Sequence, residues 1–459
     1  MTFLSLEYGL LIVCTLIVYW LVNCRTQNLI LLAGSYGFYS YIDPRLALIL
    51  AGYTIVTYVT VNQIDSDRKN STRYLLIAIT ATLGTLILFK FSGFFVENIA
   101  ELLGQAGLKN FESNLRIIMP IGISFYTFQS LGYCIDVYMR RMSARTSFVD
   151  TALFVSFFPQ LIAGPIERAS NLIPQFEAPR SFNTNKIYSG SALISWGLLK
   201  KLVIADNLGV IVDSIFSTGQ PGSAMLWVGI FAFGIQILAD FSGYTDIARG
   251  TARILGIDLS INFRHPWLAK SPSDFWKRWH ITLSEWLRDY VYLPLGGNQK
   301  GIRRTSINLA IVFILGGIWH GAGWNFVLWG IFHAILLIVW RGFEVIRISA
   351  PKPIPTIITF IVIGASWMLF RERDITYLVE NAVGQSQDSK LAQALAITAL
   401  IYALPLWIHA AIDQPSIKSI WQGHEVVKAI SLTAITVTSF LAILALRAPV
   451  SEEFIYFQF

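Results

Sequence analysis

Residues 305–340 read TSINLAIVFILGGIWHGAGWNFVLWGIFHAILLIVW and contain no aspartate, glutamate, lysine or arginine. Because an apolar helix of about 20 residues crosses a bilayer, a stretch of this length predicts two transmembrane helices. Gly321 and Gly323 place the turn between the two helices. Arg304 and Arg341 flank the stretch, and we expect both on the cytosolic side, where short loops collect basic residues.

The composition of the whole chain agrees with this prediction. Of the 459 residues, 54% are hydrophobic and 14% are charged, whereas soluble domains carry about 25% charged residues. The mean hydropathy is +0.56. These values exclude a disordered, collagen-like or disulfide-rich secreted chain, and they exclude a soluble enzyme. The predicted fold class is therefore an all-α, polytopic transmembrane helical bundle.

Further apolar stretches recur along the chain and predict about eleven or twelve membrane-embedded segments, including re-entrant ones, around a central funnel and tunnel. Residues 4–22 lack a basic n-region and a small-residue cleavage site, so we expect a retained helix and not a signal peptide. The other stretches cover residues 28–63 with a break at Asp43 and Pro44, 74–98, 115–138, 147–166, 189–216, 223–248, 353–370, 390–412 and 426–446.

The formal net charge is +7, from 35 basic and 28 acidic residues. In a membrane protein such an excess is typical of cytosolic loops, and no nucleic-acid-binding motif accompanies it, so no nucleic-acid partner is expected. Four basic clusters are expected on the cytosolic side: Arg68, Lys69 and Arg73; Arg140, Arg141 and Arg145; Lys300, Arg303 and Arg304; and Arg341, Arg347 and Lys352.

Residues 147–166 interrupt the simple pattern of crossings. They contain Pro159 and Pro165, and they lie between the basic residues Arg145 and Arg168. Basic residues on both flanks favour a re-entrant segment over a clean crossing. Broken backbone of this kind persists at membrane depth only when it is buried in protein or lines a cavity.

Residues 257–300 are too polar to span a bilayer and too aromatic for a plain loop. Within them, Ser271 can cap a helix, Pro272 suits the first helical position, and Asp274 completes a capping box. The pattern predicts one helix that continues to about Tyr290. Its mixture of tryptophans and charges is typical of a helix at the membrane interface or beside a wet cavity.

On this predicted helix His280 shares a face with Trp276 and Ser284, each four residues away. These residues are candidates for a site that faces the cavity. The alternative is a histidine that caps the helix or forms a local hydrogen bond at the interface.

His320 lies inside the apolar stretch 305–340, with Gly317 and Gly321 around it. An ionisable side chain within a membrane segment is costly and points to function. A neutral imidazole can take a proton from a hydroxyl that attacks an acyl carbon. Alternatively, Gly317 and Gly321 form a helix-packing motif, and His320 bridges two helices by a hydrogen bond. At about 1.5 Å per residue, His320 is expected about 24 Å from Arg304 and would be reached from the outer half of the membrane. If the helices are broken, His320 is instead expected at the centre.

Other chemistries lack their motifs. The sequence contains no G-x-S-x-G and no H-E-x-x-H, and no metal site is expected. The spacing of residues 296–301 resembles a P-loop, but Ile302 and Arg303 follow where lysine and serine or threonine belong. The three cysteines, Cys14, Cys24 and Cys134, are expected to be small apolar residues.

Other polar residues in apolar stretches are expected to have structural roles. Asp240 and Asp246 either cap helices or line a substrate funnel, and both interpretations remain open. Glu167 and Arg168 are expected to form a local ion pair. The remaining residues expected to form structural hydrogen bonds are Gln129, Asp136, His265, His333, His409 and His424.

Six motifs follow one another along the chain: residues 119–129 (MPIGISFYTFQ), 158–166 (FPQLIAGPI), 240–246 (DFSGYTD), 274–280 (DFWKRWH), 319–321 (WHG) and 454–459 (FIYFQF). Together they resemble the membrane-bound O-acyltransferase (MBOAT) family. Within it they are similar to the bacterial branch that contains alginate O-acetyltransferase and the D-alanyl transfer protein of teichoic acid synthesis. The resemblance covers about residues 115–335 and the last motif.

The resemblance implies one MBOAT membrane domain over residues 1–459, with generic helices in 1–114, the motif-bearing core in 115–335 and further helices in 336–459. It implies that His320 is the principal catalytic residue and His280 the second signature position. Trp276, Trp279, Trp319 and Ser284 are then expected to bind substrate along a dry tunnel.

The resemblance also implies the partners. The acyl donor is expected to be a cytosolic thioester, acyl-CoA or an acyl carrier protein, with no tightly bound cofactor. The acceptor is expected to be a polysaccharide hydroxyl outside the cytoplasmic membrane, or an extracytoplasmic partner protein. D-alanyl transfer to teichoic acid from a carrier protein is an alternative within the family. A transporter with a proton-relay histidine is the alternative outside enzymes.

Overall fold

The computed structural model describes residues 2–105, 119–346, 353–384, 389–414, 425–451 and 453–457. Over these residues the chain is helical and has no β-strand, which confirms the predicted all-α class. Eight helices in the described part are long and apolar enough to cross a membrane. The number of embedded segments, about eleven or twelve, stays a prediction. Of the residues singled out from the sequence, those outside the described part are Arg347, Lys352, His424, Gln458 and Phe459.

The chain forms two compact units. The first comprises Met1–Asn183, Ala252–Ser260 and Gly321–Gly323. The second comprises Thr184–Thr251, Ile261–His320 and Trp324–Phe459. The division at 114 and 335 rests on motif content, and it stays a prediction.

The helices of the first unit follow the predicted apolar stretches. The break at Asp43 and Pro44 is confirmed, because Asp43 lies between two helices and its carboxylate accepts the backbone N–H of Arg45 at 2.8 Å. The helices are α1 (Leu6–Tyr19), α2 (Cys24–Ile42), α3 (Pro44–Ser66), α4 (Ser71–Gln105), α5 (Ile123–Tyr138), α6 (Phe148–Ser156), α7 (Phe158–Leu161) and α8 (Ala169–Glu177).

The stretch 147–166 is broken, as the sequence predicts. Helices α6 and α7 are short, and residues 151–167 are all buried within the first unit. The side-chain amide of Gln160 donates to the side chain of Gln129 at 2.8 Å and to the carbonyl of Pro165 at 2.7 Å. The second bond gives a backbone carbonyl of the broken segment a partner away from water. Its re-entrant course through the bilayer stays a prediction.

The second unit carries most of the motifs. A π-helical turn at Lys200–Ala205 joins its first two helices into one rod. The helices are α9 (Thr184–Leu199), α10 (Asp206–Phe216), α11 (Ser223–Ile254), α12 (Pro272–Trp276), α13 (Ile281–Leu287), α14 (Gly301–His320), α15 (Trp324–Ile346), α16 (Ile354–Arg371), α17 (Ile375–Ala382), α18 (Ser389–Ile412) and α19 (Glu425–Leu446). A 3₁₀ turn at Ile455–Phe457 follows α19.

Helices α14 and α15 form the predicted hairpin, with the turn at Gly321–Gly323. Two glycines let the backbones of the hairpin meet. A Cβ on Gly317 would lie 2.2 Å from the carbonyl oxygen of Phe326, and one on Gly330 would lie 2.4 Å from that of Phe313. Side chains cannot occupy these positions, so small residues at the crossing hold the two helices together. Gly317 therefore has the helix-packing role that the sequence analysis gave as an alternative. His320 lies at the end of the same helix.

We expect Gly317→Ala to destabilise the hairpin by roughly 1–3 kcal/mol, because the added methyl group collides with backbone that cannot move aside. Thermal unfolding of the purified protein in detergent measures the effect. Gly342→Ala is the control on α15, since a Cβ there meets nothing within 4 Å. Alanine favours a helix by about 1 kcal/mol over glycine, so the control should unfold at the same temperature or higher. Equal unfolding temperatures for the two variants would contradict the crossing.

Candidate active site

The segment 271–292 departs from its sequence prediction. Ser271 caps α12, and its hydroxyl accepts the N–H of Asp274 at 3.0 Å, as predicted. However, α12 ends at Trp276 and α13 begins at Ile281, so the prediction of one helix to about Tyr290 is wrong. Between them His280 adopts a left-handed backbone conformation, with φ of 42°.

Hydrogen bonds from residues distant in sequence account for the break. The N–H of Arg264 donates to the carbonyl of Arg278 at 2.9 Å, and the N–H of Ile281 donates to the carbonyl of Asn262 at 2.9 Å. The side chain of Asn262 also accepts from the hydroxyl of Thr282 at 3.0 Å. These bonds take backbone groups that a continuous helix would pair internally, and they stabilise the turn.

The break changes where His280 points. It shares no helical face with Trp276 or Ser284, and that prediction is wrong as well. The ring is fully buried, with its centroid 4.8 Å from that of Phe241 and 5.8 Å from that of Trp319. Burial lowers the pKa of His280 to about 3, so the imidazole is neutral at physiological pH.

His320 is the last residue of α14, and its side chain is buried. Aromatic rings surround it: the centroids of Trp319, Trp329 and Phe370 lie 5.0, 5.1 and 5.1 Å away. The ring of Tyr456 lies 5.6 Å away. Trp319 contacts both histidine rings and thus connects His280 with His320.

A cavity of about 500 Å³ reaches His320. Along α14 its wall runs from Leu309 to His320, a distance of about 16 Å at the rise of an α-helix. Of the predicted site residues, Trp276, Ser284 and His320 line this cavity. Trp279, Trp319 and His280 are not among its lining residues.

Trp279 lies in the aromatic core beside the cavity. Its ring stacks on Phe275 with centroids 5.6 Å apart, and it packs against Trp367 at 4.8 Å. The assignments of catalytic and substrate-binding residues stay predictions, but the geometry separates those that face the cavity from those that support it.

Charged and apolar groups both line the cavity. The charged side chains are those of Lys277, Glu285 and Arg288, which are exposed, and of Arg341, which is half-buried. The lining around His320 is apolar and includes the buried residues Gly316 and Trp329. An elongated ligand with a charged head and an apolar tail would match this combination.

Sequence reasoning assigned no site role to two residues that the structure places near His320. His333 is fully buried, with Nε2 3.1 Å from the hydroxyl of Ser366, and its ring contacts Trp329 at 4.6 Å. The spacing of Trp329, His333 and Leu337 along α15 gave a signal, since these positions share one helical face. Tyr456 is the second residue, and it belongs to the motif at residues 454–459, to which the sequence analysis assigned no role.

Other polar residues form contacts within their own units, and the expected ion pair between Glu167 and Arg168 stays a prediction. Asp240 and Asp246 pair with buried lysines of the same unit, at 2.9 and 2.6 Å. The carboxylate of Glu167 accepts from the hydroxyl of Ser260 at 3.1 Å and from the side chain of Asn171 at 2.8 Å. Asp240 and Asp246 are not among the residues that line the cavity.

The sequence of this chain is similar to those of several known proteins. The sequence matches the membrane-bound O-acyltransferase family over residues 71–370. It is 36% identical over 363 residues to "Probable alginate O-acetylase AlgI" of Pseudomonas aeruginosa, which covers 78% of this chain and 69% of that protein. It is 35% identical over 395 residues to the peptidoglycan O-acetyltransferase of Helicobacter pylori, with 78% and 74% coverage. The teichoic acid D-alanyltransferase of Bacillus subtilis is 28% identical over 242 residues, with 50% and 60% coverage.

The depressed pKa of His280 predicts a pH dependence of stability. The folded state disfavours protonation, so His280 contributes full stability above pH 6.5 and loses it as the pH falls toward 3. Between pH 7.5 and 5 the loss is about 2 kcal/mol, at 1.36 kcal/mol per pH unit. His280→Asn removes the titrating group and tolerates the left-handed conformation. Its unfolding temperature should fall less than that of the wild type over this range. Parallel curves for the two proteins would show that burial of His280 does not set this dependence.

Proposed function

The chain belongs to the membrane-bound O-acyltransferase family, and we propose that it moves an acetyl group from a cytosolic thioester donor to a polysaccharide hydroxyl outside the membrane. It is a multi-pass membrane acyltransferase. The proposal adds the donor, the acceptor, the direction of transfer and the cytoplasmic membrane as its location. The acetyl group passes either directly to the polymer or to an extracytoplasmic partner protein.

One observation carries the proposal: the same cavity is lined by the basic side chains of Arg288 and Arg341 and by the buried His320. Arg341 belongs to a cluster expected on the cytosolic side, so a cytosolic donor would enter the cavity beside Arg341. Coenzyme A and the prosthetic arm of a carrier protein both carry phosphate, which arginine and lysine bind. The reactive thioester would then lie against the apolar lining around His320.

In the proposed reaction, His320 is the general base. Its neutral imidazole takes the proton of the acceptor hydroxyl while the oxygen attacks the thioester carbon. The new C–O bond forms, the C–S bond breaks, and the leaving thiolate receives the proton back from the imidazolium. The rings of Trp329 and Phe370 keep water away from the acyl group.

His280 has a different place in the proposal. Its ring lies against Trp319, and Trp319 lies against His320. These contacts support a role in which His280 orients the site through Trp319. They give less support to direct polarisation of the donor carbonyl, because His280 does not line the cavity.

The cavity favours acetyl over D-alanyl transfer. A D-alanyl group carries an ammonium, which needs a carboxylate or several acceptors in a buried site. The carboxylate among the lining residues is that of Glu285, which is exposed, whereas the surroundings of His320 are apolar. The O-acetyltransferase relatives also match more of this chain, 78%, than the D-alanyltransferase does, 50%.

We expect His320→Ala to abolish O-acetylation, because loss of a general base lowers rates by about 10²–10⁴-fold. The test introduces the variant into a strain that lacks the native gene and measures ester-linked acetate on its surface polysaccharide. Protein abundance is checked by immunoblot. His265→Asn, a substitution in the same unit outside the cavity lining, is the matched control and should restore acetate. Normal acetate in the His320→Ala strain would refute the role of His320.

The donor assignment makes a second prediction. Arg288→Gln and Arg341→Gln should each raise the KM for acetyl-CoA about three- to fivefold and leave kcat nearly unchanged, since an exposed charge contact contributes about 1 kcal/mol at most. The increase should shrink at high salt. Arg303→Gln is the control, because Arg303 is exposed on α14 outside the lining. Equal KM values for all four proteins would show that the donor does not bind beside Arg288 and Arg341.

A further inference from the structure

Three charged side chains lie buried together in the second unit. The ammonium of Lys201 is 2.7 Å from Asp206 Oδ1 and 2.9 Å from Asp240 Oδ1, and all three side chains are at most 3% exposed. Burying these three charges is costly unless the carboxylate oxygens that do not contact Lys201 also accept hydrogen bonds. The donors to those oxygens therefore contribute to the stability of the cluster.

A partner for each of these two oxygens comes from the segment that follows α19. We call this segment the strap and define it as Ser451 and residues 453–456. The N–H of Ile455 donates to Asp240 Oδ2 at 2.7 Å, and the hydroxyl of Ser451 donates to Asp206 Oδ2 at 2.9 Å. Each carboxylate thus uses one oxygen for Lys201 and the other for the strap.

The strap contacts the candidate active site through aromatic rings. The Tyr456 ring lies 5.6 Å from that of His320 and 4.6 Å from that of Phe241, the residue after Asp240. Phe454 lies 4.5 Å from Tyr244, one turn further along α11. The same part of α11 therefore holds the strap and contacts the ring of His280 through Phe241.

The neighbouring Lys200 provides a comparison within the molecule. It is also buried, with its ammonium 2.6 Å from Asp246 and 2.9 Å from the hydroxyl of Ser242. Both of these partners lie on α11 and not on the strap. Both adjacent lysines are thus buried and paired with carboxylates. The carboxylates that pair with Lys201 also bind the strap, whereas the partners of Lys200 lie on α11.

We propose that Lys201 is a positioning residue: through Asp206 and Asp240 it fixes the strap so that the ring of Tyr456 stays packed against the ring of His320. The catalytic part of this inference rests on the proposed function of His320. Attachment of the strap to the buried charges does not depend on that function. Lys201 acts on turnover and not on donor binding, because neither it nor Tyr456 lines the cavity.

The test compares Lys201→Met with Lys200→Met in the full-length protein. Hydrogen exchange read by mass spectrometry should show amides of residues 453–457 exchanging about tenfold faster in Lys201→Met, because loss of the ammonium leaves two repelling carboxylates and releases the strap. Lys200→Met should leave these amides at the wild-type rate. Turnover of radiolabelled acetyl-CoA by proteoliposomes should show kcat lowered about tenfold by Lys201→Met, with KM changed less than twofold.

Ser451→Ala keeps the test decisive if Lys201→Met fails to fold. Ser451 is exposed, so its loss removes only the bond to Asp206. It should speed strap exchange by about threefold and lower kcat, with KM unchanged. Wild-type exchange in the strap of Ser451→Ala or of folded Lys201→Met would overturn the attachment. Faster exchange with unchanged kcat would overturn the positioning role. If His320→Ala proves active, the proposed function fails while the exchange result still decides whether Lys201 holds the strap.

Discussion

The backbone contact between α14 and α15 is the constraint on which the candidate site depends. Gly317 and Gly330 allow each helix to touch the other's carbonyl oxygens, so the hairpin has little freedom to slide or tilt. His320 follows Gly317 by less than one helical turn and ends α14. Its position is thus set by two helices at once. The cavity lies along one side of this rigid pair, which holds the imidazole in the apolar part of its lining.

The second unit also buries polar and charged side chains, which is costly in a membrane protein. Buried imidazoles lie among aromatic rings, and buried lysines lie against carboxylates of α11. The neutral His280 and the paired Lys201 represent two solutions to the same problem. One group loses its charge, and the other keeps its charge and gains counter-charges. Both groups contact α11, His280 through Phe241 and Lys201 through Asp240.

The features that the sequence predicted correctly depend on local signals. Apolar length, paired glycines and the residues Asp43 and Ser271 act within a few positions of where they stand, so helix ends and the α14–α15 turn were predictable. The resemblance of ordered motifs supplied the family, which composition alone leaves open. Together they covered the fold class and identified His320 as the residue to examine.

The errors concern contacts that close over long sequence distances. The turn before His280 is stabilised by Asn262 and Arg264, whose bonds no helix-capping rule includes. Trp276 and Ser284 do line the cavity, although not as members of one helical face. The attachment of the strap was missed because its partner Asp240 comes from another helix, whereas the structural hydrogen bond expected for His333 is confirmed by its contact with Ser366. Side-chain direction at a broken helix depends on tertiary packing, and sequence spacing does not encode it.

The antiparallel pairing of α9 and α11 also bears on how the chain is assembled. Gly197 of α9 faces Gly243 of α11, and Gly190 of α9 faces Gly250 of α11. The glycines on each helix are seven residues apart, so a shift of one helix by seven positions would again bring two glycines together. Such a slip would carry Lys201 past Asp240 and leave that carboxylate without its cation in an apolar interior, at a cost of roughly 2.5–3.5 kcal/mol. The adjacent lysines therefore select one alignment among those that shape would allow. A misaligned pairing of α9 and α11 would therefore carry a charge penalty that the glycine pattern does not impose.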